Sequence, residues 1–196
     1  GNRLDVSNIY NINRLSSKDT IEGGTSLTLG NEFTIFDKEK SQDIFALKFA
    51  NNLRLEKNED LPRNNQLNAK NSNFFGEILF SPNEILSTKY NASAKNNLTD
   101  INYENFNTEI KINNFVTTFD YLNENNSKNK GSYLTSTTKY NFNEGNSIKY
   151  STRENKSSNL TEYYNLIYEY KNDCLSASIE YNKDYYDDRD IKPEEN

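Results

Sequence analysis

Few side chains in this sequence could carry out chemistry, and most catalytic constellations lack a member. There is no histidine, which removes Ser-His-Asp and Cys-His machinery and most zinc sites. The single cysteine, Cys174, cannot close an internal disulfide; it is a free thiol or half of a bridge to a cysteine outside this sequence. Carboxylates and serines remain, but no acid–base or nucleophilic set of them stands out, and no cofactor-binding pattern occurs, so the chain reads as a non-enzyme. The acidic run Asp187, Asp188, Asp190, Glu194 and Glu195 could attract divalent cations, yet its spacing matches no calcium loop and a solvated loop accounts for it. The residues left to consider are Glu109, Lys111, Lys139, Lys149 and Arg153. Each falls on the polar parity of an alternating segment, where it either meets sugar and phosphate groups or merely solvates a polar interior.

Those residues need a scaffold, and composition points to β-structure. Hydrophobic residues make up only 33% of the 196 residues and the mean hydropathy is -0.99, values that alone suggest disorder or a very polar surface. The 14 Tyr and 11 Phe argue otherwise. Asn, Ser, Thr, Tyr and Phe abound while helix formers are scarce, which favours strands. A net charge of -6 and a pI near 4.9 leave no basic stripe to displace counterions, so nucleic acid is not expected as a partner. No apolar run approaches the roughly 20 residues of a transmembrane helix. A barrel strand needs only about 10 residues with one apolar face, so a membrane β-barrel remains compatible with the polar total.

Residues 1–24 lack sustained periodicity and read as loop with one short strand. From Thr25 the pattern alternates: Leu27, Leu29, Phe33 and Ile35 share one parity and Thr28, Gly30, Glu32 and Thr34 the other. Phe45, Leu47, Phe49, Leu53 and Leu55 then oppose Lys48, Asn52 and Arg54. A long polar loop spans 56–72. The extended pattern resumes over 73–80 and stops at Ser81-Pro82-Asn83, since proline cannot donate to a ladder. Alternation continues through 86–92, 106–112, 115–121, 132–142, 147–153, 163–170 and 175–185, giving about ten strands in an antiparallel up-and-down meander.

The connections alternate in length. Asn113-Asn114, 143–145 and 171–173 are tight, whereas 123–130, 154–159 and 186–195 are longer and strongly polar, the asymmetry of an outer-membrane barrel. Phe142 and Tyr170 precede short turns, and Tyr121, Tyr164 and Tyr181 lie towards the longer loops. Those are the positions of interfacial girdles, although tyrosine is also simply a good strand residue. Cys174 begins a strand directly after a short turn.

Two blocks go beyond periodicity. Asp5, Asn8, Asn11-Ile12-Asn13-Arg14-Leu15, Asp19 and Glu22-Gly23-Gly24-Thr25 resemble the N-R-[FL]-x-G-x-D-R-x-E-G-G-T signature of the outer-membrane LPS-assembly (LptD, or organic solvent tolerance) protein family. Tyr168 to Leu175, including Asp173 and Cys174, and Asp188 to Glu194, including Arg189, Asp190 and Pro193, resemble that family's C-terminal segments. Gly76, Ile78, Ser81 and Pro82 resemble its G-x-I-x-x-S-P passage.

The resemblance implies a fragment of a large transmembrane barrel, with a periplasmic jelly roll, the first barrel strands and the last strand lying outside the sequence. It implies a part in inserting lipopolysaccharide into the outer leaflet of the bacterial outer membrane. The implied partners are lipopolysaccharide, a lumen-plugging outer-membrane lipoprotein (LptE), a periplasmic bridge protein (LptA) and outer-membrane lipid. It also implies that Cys174, at the periplasmic rim, bridges to a cysteine elsewhere in the parent protein. Another outer-membrane porin or receptor, a barrel enzyme, or a soluble β-rich surface protein would share the strands without the ordered motifs.

Overall fold

The computed structural model describes residues 4–15, 22–61, 63, 66–125 and 130–185. Ten strands form one sheet: β1 (Ser26–Asp37), β2 (Gln42–Arg54), β3 (Phe74–Phe80), β4 (Leu86–Ala94), β5 (Ile101–Ile112), β6 (Phe115–Asn125), β7 (Lys130–Asn143), β8 (Asn146–Asn155), β9 (Leu160–Lys171) and β10 (Ser176–Asp184). Their order in space is their order in sequence, and every neighbouring pair is antiparallel. The all-β up-and-down meander expected from the alternation is therefore the observed architecture. β1 and β10 each pair on one side only, so the sheet does not close on itself.

Side chains alternate across a strand, and the register lines up like with like. One face carries Leu29, Phe33, Leu47, Phe49, Ile78, Phe106, Phe119, Tyr150, Leu166 and Ile179, and most of these large apolar groups are solvent-exposed. The other face carries mostly Thr, Ser, Asn, Glu and Lys, with Val116, Leu122, Tyr133, Tyr163 and Ile167 among them. At the end of the short turns the apolar face gathers aromatics: Phe115 packs 4.5 Å from Tyr140, and Tyr140 4.9 Å from Phe142. Nearer the opposite end, Tyr150, Tyr164 and Tyr185 form a second group.

Two expectations about connections need correction. The polar stretches 123–130 and 154–159 are partly strand, because β6 runs to Asn125, β7 begins at Lys130, β8 runs to Asn155 and β9 begins at Leu160. Backbone ladders propagate regardless of side-chain polarity, so Asn123 pairs with Ser132 and Asn125 with Lys130 although no apolar face marks them. The Asn113-Asn114 hairpin is as tight as expected, with Asn113 at a left-handed φ of 51°, which asparagine tolerates well.

No strand forms among the described residues before β1. Instead, residues 4–15 make a compact turn. The Asp5 carboxylate accepts the N–H groups of Ser7 (2.8 Å) and Asn8 (3.2 Å), while Asn8 Oδ1 accepts that of Asp5 (3.0 Å). The turn points Leu4, Val6 and Ile9 at the polar face of β2 and β3, where they meet Ala50, Phe75, Leu61 and Leu67 in a buried cluster. Leu61 and Leu67 come from the 56–72 connection, which is thus folded against the sheet rather than being only a polar loop. Isolated leucines in an Asn-rich run give no periodic signal, so the sequence did not reveal them.

Candidate functional site

The turn is fastened to the sheet by a buried ion cluster. Arg14 Nε donates to Glu22 Oε2 at 2.8 Å, and its Nη2 pairs with Glu22 Oε1 and donates to Ser26 Oγ at 3.1 Å. From the last position of β2, Arg54 Nη1 donates to the same Glu22 Oε1 at 2.7 Å, and Nη2 donates to the Gly23 carbonyl. The side chains of Arg14 and Glu22 are 4% exposed and that of Arg54 2%. Burial by itself would raise the Glu22 carboxyl, but the hydrogen bonds and charge of Arg14, with a further hydrogen bond from Arg54, hold it below the usual range. Gly24 is required twice over: its φ is +87°, and a Cβ there would sit 2.8 Å from Arg54 Nη2.

The N-terminal motif residues are therefore neighbours in space. Arg14, Glu22, Gly23 and Gly24 surround one carboxylate, and Asn13 Oδ1 accepts the Leu15 N–H at 3.1 Å to shape the approach. Asp19 lies outside the described residues. Sequence reasoning placed Arg54 and Asn52 on the polar parity without foreseeing the role of either. Asn52 is fully buried; its side chain donates to Thr28 Oγ1 at 2.9 Å, and its N–H donates to Ser72 Oγ at 2.9 Å. Next to it, Asn73 Nδ2 donates to Ser93 Oγ at 3.1 Å. The only sequence clue to this network was asparagine and serine at positions flanking strands.

Further along the polar face an ion ladder crosses four strands. Glu32 lies 3.3 Å from Lys48, Lys48 lies 3.7 Å from Glu77, and Glu77 lies 2.9 Å from Lys89. The charged residues singled out from parity share this face, between β5 and β8, and several have carboxylate partners. Lys111 pairs with Glu109 at 2.8 Å, Lys139 with Glu169 at 3.2 Å, and Arg153 with Glu162 at 2.8 Å. The Arg153 guanidinium also sits 4.5 Å over the Tyr133 ring. Lys149 faces Lys139 across the β7–β8 ladder. Partly exposed pairs of this kind contribute little stability; what they provide is a charged, hydrated wall.

Cys174 and Asp173 occupy the turn between β9 and β10 rather than the strand itself, and the thiol is exposed. The Cys174 N–H donates to Asn172 Oδ1 at 2.9 Å, which fixes the turn. Arg189, Asp190 and Pro193 lie outside the described residues. The clamp is buried and its charges satisfy one another, so it is a structural fastening, and among the described residues the clamp, the ladder and the charged wall bring together no nucleophile with a base.

Comparison with curated proteins finds no match. A family model described as LptD, LPS transport system D, matches residues 2–139, which take in the clamp, the ladder and the strands through most of β7, but not the Cys174 turn. The chain belongs to the LptD family of lipopolysaccharide transport proteins.

Proposed function

We propose that this chain is a segment of the wall of an outer-membrane β-barrel through which lipopolysaccharide is inserted into the outer leaflet. The observation that carries the reading is the continuous apolar face. Large side chains on it stay exposed from β1 (Phe33, 55%) to β10 (Ile179, 74%), far more than a soluble monomer leaves uncovered. Lipid is the solvent that suits such a face, and the opposite polar face then lines the lumen. Strand lengths, mostly 9–14 residues, agree with tilted membrane strands of about 9–11 residues. Membership of the family supports a part in lipopolysaccharide transport; in this reading the lipoprotein LptE would plug the lumen and the bridge protein LptA would supply substrate from the periplasm. Depleting the parent protein in its own cell should stop newly made lipopolysaccharide from reaching the surface. Undiminished surface delivery after depletion would defeat the reading.

In that setting the short turns face the periplasm, and Cys174 sits on its oxidising side with an exposed thiol, ready to bridge to a cysteine elsewhere in the parent protein. The full-length protein should then migrate differently on gels run with and without reductant, and Cys174→Ser should abolish part of that difference. Identical mobility under both conditions would rule the bridge out.

A further inference from the structure

Not every residue on the apolar face suits hydrocarbon. Towards the longer loops that face also carries Glu104, Asn123, Ser132, Glu154 and Lys183, which strand parity sets on the same side as Phe106, Phe119, Tyr150 and Ile179. Glu104 anchors a small polar network: Tyr90 Oη donates to its Oε2 and Asn123 Nδ2 to its Oε1, each at 3.0 Å. Ser132 Oγ donates to the Tyr121 hydroxyl at 3.1 Å, and Glu154 pairs with Lys156. Charge on the lipid side of a barrel is destabilising at the midplane, and the cost becomes small at the interface. These groups therefore report a level.

That level is a staircase. Residues paired directly across neighbouring strands form rungs perpendicular to the strands. One rung runs through Phe33, Leu47, Ile78, Phe106 and Leu134 and first meets charge at Glu154 on β8. The next rung towards the longer loops, apart from Asn31 at the β1 edge, is apolar or small through Phe49, Gly76 and Ala92 and turns polar already at Glu104 on β5, followed by Asn123 and Ser132. The next rung towards the short turns stays uncharged from Ile35 through Phe119 and Tyr164 and reaches Lys183 only on β10. The polar edge thus drops two rungs from β5 to β10. Two other features step the same way: Tyr121, Tyr164 and Tyr181 lie on successively lower rungs, and at the opposite end so do Phe80, Leu86, Ile112 and Phe142. A drop of four residues over five strands corresponds to a strand tilt of roughly 30°, at about 3.4 Å per residue and about 4.8 Å between strands. Membrane barrel strands tilt by about 35–45°.

We propose that the outer-leaflet headgroups meet this wall along an oblique line through Glu104, Asn123, Glu154 and Lys183, with the tyrosines just beneath it as the interfacial girdle. This rests on the proposed membrane wall and assigns its level. The partner is the hydrated, hydrogen-bonding headgroup layer, which can solvate carboxylate, amide and ammonium groups that hydrocarbon cannot. A docked protein suits the line less well, because a footprint centres on apolar or aromatic anchors with few charges, whereas this line is charged and crosses six strands. The same line accounts for the strand ends that no apolar face marks. Asn125, Lys130 and Asn155 lie beyond it, where both faces of the ladder meet water.

The test uses the full-length protein in its native complex, with a small fluorescent amino acid placed singly at Ile78, Glu154, Phe119 or Lys183. The complex is inserted into phosphatidylcholine vesicles that carry a nitroxide quencher either on the headgroup or at mid-chain. Headgroup nitroxides should quench positions 154 and 183 several-fold more than mid-chain ones, and the order should reverse at positions 78 and 119, although Ile78 shares a rung with Glu154 and Phe119 with Lys183. Equal ratios within each rung would put the boundary along the rungs and overturn the oblique line, as would quenching of 154 and 183 chiefly from mid-chain. No quenching by either lipid at any of the four positions in a correctly folded, vesicle-inserted complex would overturn the membrane-wall reading itself, and the line with it. Because a fluorescent residue can disturb folding, Ile78→Lys and Glu154→Lys offer a second comparison on one rung. The yield of folded, inserted protein should fall several-fold for the first and stay unchanged for the second, and equal yields would count against the line.

Discussion

Glu22→Gln should be among the most damaging single substitutions in this chain, with an expected loss of about 3–5 kcal/mol, the range for breaking one side of a buried ion pair. The size follows from the geometry: two guanidinium groups, 4% and 2% exposed, share the one carboxylate. A neutral amide leaves both cations buried with a single polar group that can accept only through its oxygen. The loss should appear as release of segment 4–15 from the sheet, read as new protease cleavage between residues 4 and 15 in the folded, membrane-inserted protein. The same substitution has a pH signature. Because the folded carboxyl titrates below its unfolded value, its contribution is fully present above the ordinary glutamate range and is lost as pH falls through the depressed folded value. Wild type and Glu22→Gln should therefore differ at neutral pH and converge in acid. A gap that stays constant across that range would show that the carboxylate's charge is not what holds the clamp.

Phe119→Lys is the second large effect. Phe119 lies near the middle of β6 on the apolar face, 39% exposed, opposite Thr108 and Ser136. A lysine facing lipid near the bilayer midplane costs about 2–4 kcal/mol in membrane barrels. The adjacent Thr118→Lys puts the same charge on the opposite face, where it meets water and Glu109, so its cost should be close to zero. Denaturant unfolding of the lipid-inserted protein measures both. The contrast between neighbouring positions is what matters, and similar losses for the two would mean that the apolar face is not in contact with lipid.

Much of the sheet was legible in the sequence because a strand with one apolar face writes its register into every second residue. Leu27 to Ile35, Ile148 to Thr152 and Leu166 to Tyr170 gave the faces directly, and Pro82 and Asn113-Asn114 marked their turns. What stayed hidden had no period. Leu4, Val6, Ile9, Leu61 and Leu67 are buried through tertiary contact between segments far apart in the chain, and nothing local distinguishes them from apolar residues scattered in a loop. The clamp was half visible: Arg14, Glu22, Gly23 and Gly24 stood out as a block, but their partner Arg54 lies 32 residues beyond Glu22 and looked like one more polar-face cation. The strand extensions at Asn123–Asn125 and Asn155 were missed for the opposite reason, since backbone pairing there needs no side-chain pattern at all.

Each of the ten strands pairs only with its neighbours in sequence, and this bears on how such a wall is assembled. Every new strand can add to the edge left by the one before it, so the loop to be closed is always short and its entropic cost small. The clamp and the cluster under residues 4–15 are different, because they need β2, β3 and the connection between them to be in place. The contacts of the N-terminal segment therefore carry a larger closure cost than any hairpin of the sheet, and they cannot form until β3 stands beside β2.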